Sequence, residues 1–208
     1  MDKSLSRVAF LLSGSGSTLT NLLAEMNAGR VPGEIVVVLA DRDGIQGLEI
    51  ARAHGIEVCL LPRNKHKGRA AYGQALGAAL EPFAPDLVVN GGFLTLYDIP
   101  PALTGRILNV HPALLPSFGG KGCYGSHVHR MVLESGCRVS GCTVHFVTAE
   151  VDAGPIVGQT AVPVAWDDTI ESLSARVQDA ERQLYPACIR DILSGALVLR
   201  NGRVVRPD

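Results

Sequence analysis

Apolar residues in this chain gather into short runs rich in branched side chains, separated by stretches where they recur every three or four positions. The runs Arg7 to Leu12, Glu34 to Ala40, Glu57 to Leu61, Leu87 to Asn90 and Arg106 to His111 are nearly continuous, as expected of parallel strands covered on both faces. Between them, Thr20 to Asn27, Leu48 to His54 and Arg69 to Leu80 read as crossover helices. After Gly136 the strands lengthen, to Ser140 to Val147 and Pro155 to Val164, and a helix follows from about Thr169 to Leu193. The chain closes on Ala196 to Arg200 and Arg203 to Arg206 around Asn201-Gly202, a dipeptide that favours the type I′ hairpin turn. The predicted fold is α/β: a Rossmann-like, mostly parallel sheet with helices on both faces, and a mixed C-terminal half ending in a hairpin. With no internal repeat, low-complexity segment or Pro/Ser linker, residues 1–208 are expected to form a single domain, its two halves meeting at about residues 105 and 106.

Composition narrows the function. A chain of 208 residues, 47% of them hydrophobic, can bury a core of its own. Its net charge of -1 offers no basic footprint for nucleic acid or an anionic membrane, so the expected partners are small molecules. The five cysteines, Cys59, Cys123, Cys137, Cys142 and Cys188, contain no Cys-x-x-Cys pair and read as reduced, mostly buried thiols. The first apolar run, Val8 to Leu12, is too short for a signal-peptide core, and no stretch approaches bilayer length. A cytoplasmic protein is expected.

In an open parallel sheet, ligands bind where strands end, so the residues after each strand matter most. Gly14-Ser15-Gly16-Ser17-Thr18, after Ser13, offers backbone N–H groups, hydroxyls and the positive end of a helix dipole to an anion such as a phosphate. It is not a Walker loop, since no Lys follows, and Leu19 stands where a dinucleotide fingerprint has its third glycine. A helix-capping turn is the plainer alternative. Gly91-Gly92-Phe93-Leu94 could admit a flat ligand against the backbone or make only a turn. Asn109 and His111, two apart on one strand, project to one side while Val110 faces the other. A buried, hydrogen-bonded histidine is the ordinary alternative there. Asp152, in the turn Val151 to Pro155, could pair with His111 or cap the turn.

Together these segments resemble the phosphoribosylglycinamide formyltransferases of the formyl-tetrahydrofolate superfamily. The resemblance is carried by Leu108-Asn109-Val110-His111-Pro112-Ala113-Leu114-Leu115-Pro116, Gly141-Cys142-Thr143-Val144-His145-Phe146-Val147 and Val151-Asp152-Ala153-Gly154-Pro155. It implies Asn109, His111 and Asp152 as catalytic residues, and formyl-tetrahydrofolate as cosubstrate with no metal. By the same resemblance Gly14, Ser15, Gly16, Ser17, Thr18 and Glu181 would bind glycinamide ribonucleotide, at its phosphate and at its glycinamide end. Arg69, Leu94, Thr95, Leu96, Tyr97, Asn109, Thr148 and Asp152 would bind the reduced folate. Thr95 departs from an Arg found in some members, and Thr18 from an Asn. The side chains suit the implied chemistry: an amide N–H and a charged imidazole can stabilise an oxyanion, and a carboxylate favours that charged ring. A homodimer is admissible.

Gly119 to Gly125 reads as a flap or a surface loop. His127 and His129, without a third ligand, read as surface or supporting residues, and His145 as a core or supporting one. A formyl-tetrahydrofolate hydrolase would use the same Asn, His and Asp but is expected to carry a further N-terminal domain, and a methionyl-tRNA formyltransferase a C-terminal one. A non-catalytic nucleotide-binding module would use Asp41, 25 residues after Gly16, on a ribose hydroxyl.

Overall fold

From Val8 to Leu12 the strand β1 (Ser6–Leu12) exposes no side chain, and a strand buried on both faces belongs inside a sheet. In the computed structural model, which describes residues 5–207, β1 pairs in parallel with β2 (Gly33–Ala40) on one side and β4 (Leu87–Asn90) on the other. Strand β3 (Val58–Leu60) continues the parallel array beyond β2, in the order β3-β2-β1-β4. Helices α1 (Ser17–Asn27), α2 (Gln46–Ala53) and α3 (Gly68–Leu80) connect these strands, burying Leu19 and Leu22, Leu48 and Ala51, and Leu76 and Leu80 at helical spacing. Both α1 and α2 begin before the expected Thr20 and Leu48, because their first turns are polar or glycine and carry no apolar period. This first compact unit ends at Leu108.

The second unit starts at Asn109, within β5 (Ile107–His111). It continues through α4 (Ser126–Glu134), β6 (Val139–Phe146) and β7 (Ile156–Pro163), with β6 and β7 antiparallel. A long helix, α5 (Ile170–Leu193), follows. Val132, Cys142, Val162, Val164, Leu173 and Val177 form a core from α4, α5, β6 and the end of β7. Helix α5 opens with a capping box, in which the Ser172 N–H donates to Thr169 Oγ1 and the Thr169 N–H to Ser172 Oγ. It lies close on β7 because Gly158 has no side chain: a Cβ there would stand 2.8 Å from Cys188 Sγ. Strands β8 (Val198–Arg200) and β9 (Arg203–Val205) pair antiparallel. Asn201 and Gly202 between them both have positive φ, 52° and 72°, as a type I′ turn requires. The α/β expectation therefore holds, with a parallel sheet and helices first, mixed strands later and a closing hairpin.

Candidate active site

In the first unit, the loop after β1 meets the N-terminus of α1 at Gly16, where no side chain caps the helix. The first N–H groups of α1 are thus left without a side-chain acceptor, while Ser15 and Ser17 are exposed and Gly14 and Thr18 half-buried. Glycine is required at Gly16 twice over: its φ is 79°, and a Cβ would approach Gly47 Cα to 2.7 Å. The loop after β4 is fastened beside it, since the Ser13 N–H donates to the Gly92 carbonyl and the Leu94 N–H to Ser13 Oγ. Thr95 is buried and donates to Asp41 Oδ2 at 2.7 Å, whereas Leu94 and Leu96 are exposed. Tyr97 is buried; its hydroxyl donates to Asn90 Oδ1, and burial pushes its pKa up to about 12. Arg69 Nη2 donates to the Tyr97 carbonyl, and its Nε lies 3.1 Å from Asp98 Oδ1.

Asp41, the residue considered for a ribose hydroxyl, is turned to protein donors instead. Its side chain is 1% exposed, and its oxygens accept from Arg42 and Thr95. Burial works to raise the Asp41 pKa, but hydrogen bonds from Arg42, Thr95 and Ser13 outweigh it and hold the carboxyl below its ordinary value.

In the second unit, the alternation along β5 appears as expected: Val110 packs against the α4–α5 core, while Asn109 and His111 reach polar partners. Asp152 sits at φ 57°, a left-handed conformation that Asp tolerates better than most residues. Its turn is pressed on the end of β6, where a Cβ on Gly154 would lie only 1.7 Å from the Phe146 carbonyl oxygen. This close approach sets the Asp152 carboxylate 3.5 Å from His111 Nδ1 and 3.7 Å from His145 Nε2. The Gly120 N–H donates to the same carboxylate at 2.9 Å. His111 Nε2 lies 2.9 Å from the Phe118 carbonyl, so both of its ring nitrogens face oxygen acceptors, a geometry that suits an imidazolium. The start of the glycine-rich segment from Gly119 is thereby tied to two of the expected catalytic residues. Further along, Gly122, Tyr124, Gly125, Ser126 and His127 line an open cavity of about 500 Å³.

His145, read from the sequence as a core or supporting residue, meets Asn109, whereas the Phe118 carbonyl and the Gly120 N–H had no signal in the sequence. His145 Nδ1 lies 3.0 Å from the Phe146 carbonyl, which can only accept, so Nδ1 carries the proton. Burial, above all, lowers the pKa of His145 and keeps the ring neutral, leaving Nε2 to accept from Asn109 Nδ2 at 3.2 Å. The amide orientation of Asn109 follows from that chain. His129 is also buried, 3% exposed, and its pKa is lowered first by burial and then by His111, whereas His127 is exposed.

Thr148 is half-buried with its hydroxyl donating to the Glu150 carbonyl. On α5, Glu181 is half-buried, and burial raises its pKa to about 7. Cys142 and Cys188 are buried thiols with pKa values pushed up to about 12, chiefly by burial, hence poor nucleophiles. Among the described residues no group of three or more His, Cys, Asp or Glu side chains could hold a metal ion, and no helix is long and apolar enough to cross a membrane.

The family model described as formyl transferase matches residues 6–189. The chain is 36% identical over 194 residues to phosphoribosylglycinamide formyltransferase of Escherichia coli, covering 91% of this chain and 88% of that protein. It is 42% identical over 196 residues to the trifunctional purine biosynthetic protein adenosine-3 of Gallus gallus, 92% of this chain and 19% of that protein. The chain thus spans about a fifth of the length of the first curated relatives it matches. The crystal structure of glycinamide ribonucleotide transformylase 1 from Symbiobacterium toebii superposes with a TM-score of 0.89 at 42% identity, covering 98% of this chain and 95% of that one.

Proposed function

The chain belongs to the formyl transferase family, and from that premise we propose that it transfers the formyl group of formyl-tetrahydrofolate to the amine of glycinamide ribonucleotide, a step of purine biosynthesis. The observation that carries this reading is the buried set in which Asn109 is held by His145 and His111 faces Asp152. The substrate amine attacks the formyl carbon, forming a C–N bond and moving the carbonyl electrons onto oxygen. The free N–H of Asn109 and the His111 imidazolium stabilise that oxyanion. Collapse restores the carbonyl and breaks the bond to the folate nitrogen, which accepts a proton from His111 as it leaves. The proton lost by the attacking amine restores the charged ring, and Asp152 favours that charge. Neither a metal nor a covalent enzyme intermediate is needed.

Gly14, Ser15, Gly16, Ser17 and Thr18, at the start of α1 where no side chain caps the helix, hold the ribonucleotide phosphate in this reading, and Glu181 lies at the glycinamide end. Leu94 to Tyr97, Arg69 and Thr148 serve the folate, together with Asn109 and Asp152. The partners are two small molecules and the setting is the cytoplasm; a homodimer is compatible with this reading. A phosphate held by that loop fixes one end of the substrate and so orients the amine as well as binding it. Steady-state kinetics with glycinamide ribonucleotide and with its dephosphorylated form provide the test. Loss of the phosphate should lower kcat and raise KM; equal kcat/KM for the two would contradict the assignment of the loop.

A further inference from the structure

One buried carboxylate anchors a pair of joined loops. Asp41 follows directly on β2, and its side chain is 1% exposed and accepts from Arg42 and Thr95. Ser13, the last residue before the Gly14 to Thr18 loop, accepts the Leu94 N–H on its hydroxyl oxygen, and its own N–H donates to the Gly92 carbonyl. Thr95, in the loop after β4, donates to Asp41 Oδ2. Arg42 closes the set from the solvent side, 52% exposed, through Nε and Nη2. An ionised carboxylate is costly to bury, and here Thr95 and Arg42 compensate it. The loop after β4 cannot shift without removing the Thr95 donor from that charge or the Leu94 N–H from Ser13.

We propose that Asp41 is a positioning residue: it holds the loop Gly91 to Tyr97 through Thr95 and, through the Leu94 N–H on Ser13 Oγ, the anion-binding loop after β1, so that both substrate loops depend on one buried charge. This rests on the assignment of those loops to ribonucleotide and folate. The charge is what distinguishes the tie from ordinary packing: a carboxylate accepts from Thr95 and Arg42 on both of its oxygens at once, whereas an amide in its place has one oxygen to offer. Thr95 takes part through its hydroxyl, so its role is distinct from the backbone contacts expected of its neighbours.

Two measurements on full-length protein test the proposal. In steady-state kinetics, Asp41→Ala should raise KM for both glycinamide ribonucleotide and formyl-tetrahydrofolate by about tenfold, the scale of a lost charge-assisted hydrogen bond, with a much smaller change in kcat. Asp41→Asn should lie between Asp41→Ala and wild type. In amide hydrogen exchange, which needs no substrate, Asp41→Ala should speed exchange in residues 13–18 and 92–97 together, with the Leu94 N–H among the most affected. Faster exchange in only one loop, or in neither, overturns the tie. So does an unchanged KM for either substrate in a wild type that transfers formyl. A wild type that transfers no formyl overturns the proposed function instead, and exchange still decides the tie.

Discussion

At the scale of single residues, neighbours fix the protonation state of His145. His145 is held neutral by burial and aimed by the Phe146 carbonyl, so it presents a lone pair to Asn109. Replacing it with Phe keeps the volume and removes the acceptor. We expect His145→Phe to lower kcat by roughly tenfold, the consequence of one lost hydrogen bond to a catalytic amide, and His145→Gln to recover part of the loss. His111→Ala and Asp152→Asn act on the reacting charge itself. Each should lower kcat by about a hundredfold or more, with the circular dichroism spectrum and folate binding nearly unchanged. Wild-type-like turnover of His111→Ala would rule out its assigned role. Alternation along Asn109-Val110-His111 was legible in the sequence because a strand has only two faces. The partners of those side chains were not. Phe118 and Gly120 act through a carbonyl and an N–H, groups that every residue has, and Thr95 meets Asp41 from 54 positions away.

At the scale of elements, strands and the closing hairpin were readable where one local rule dominated. Continuous apolar runs marked β1, β2 and β4, and Asn201-Gly202 marked the turn through its need for positive φ. Helix starts were read late at α1 and α2, where capping geometry and glycine contacts set the boundary. Helix α5 carries a consequence for pH. Glu181 has its pKa raised from 4.5 to about 7 by burial, so the fold holds its proton more tightly than the unfolded chain does. The cost of ionising it is therefore small at or below about pH 4.5 and fully felt above about pH 7. Glu181→Gln removes that cost. Chemical denaturation should find this variant more stable than wild type by up to about 3 kcal/mol at pH 8, and by less than about 1 kcal/mol at pH 5. A variant equally destabilised at both pH values would show that Glu181 is ionised in the fold.

For the whole molecule, the near balance of 19 Lys and Arg against 20 Asp and Glu directed attention to small ligands, and membership of the formyl transferase family agrees with that direction. The acceptor is the least local of its properties. In the proposed mechanism Asn109, His111 and Asp152 would act on any formyl acceptor, so the choice among a ribonucleotide amine, an aminoacyl-tRNA and water must come from groups that hold the acceptor. The most direct measurement is therefore a formyl-transfer assay in which purified protein and formyl-tetrahydrofolate are offered glycinamide ribonucleotide, methionyl-tRNA or water alone, with products identified by mass. Formylated glycinamide ribonucleotide should accumulate, with much slower release of formate and no formylated tRNA. Formate released equally fast with and without glycinamide ribonucleotide, and no formylated ribonucleotide, would contradict the account and make the protein a hydrolase.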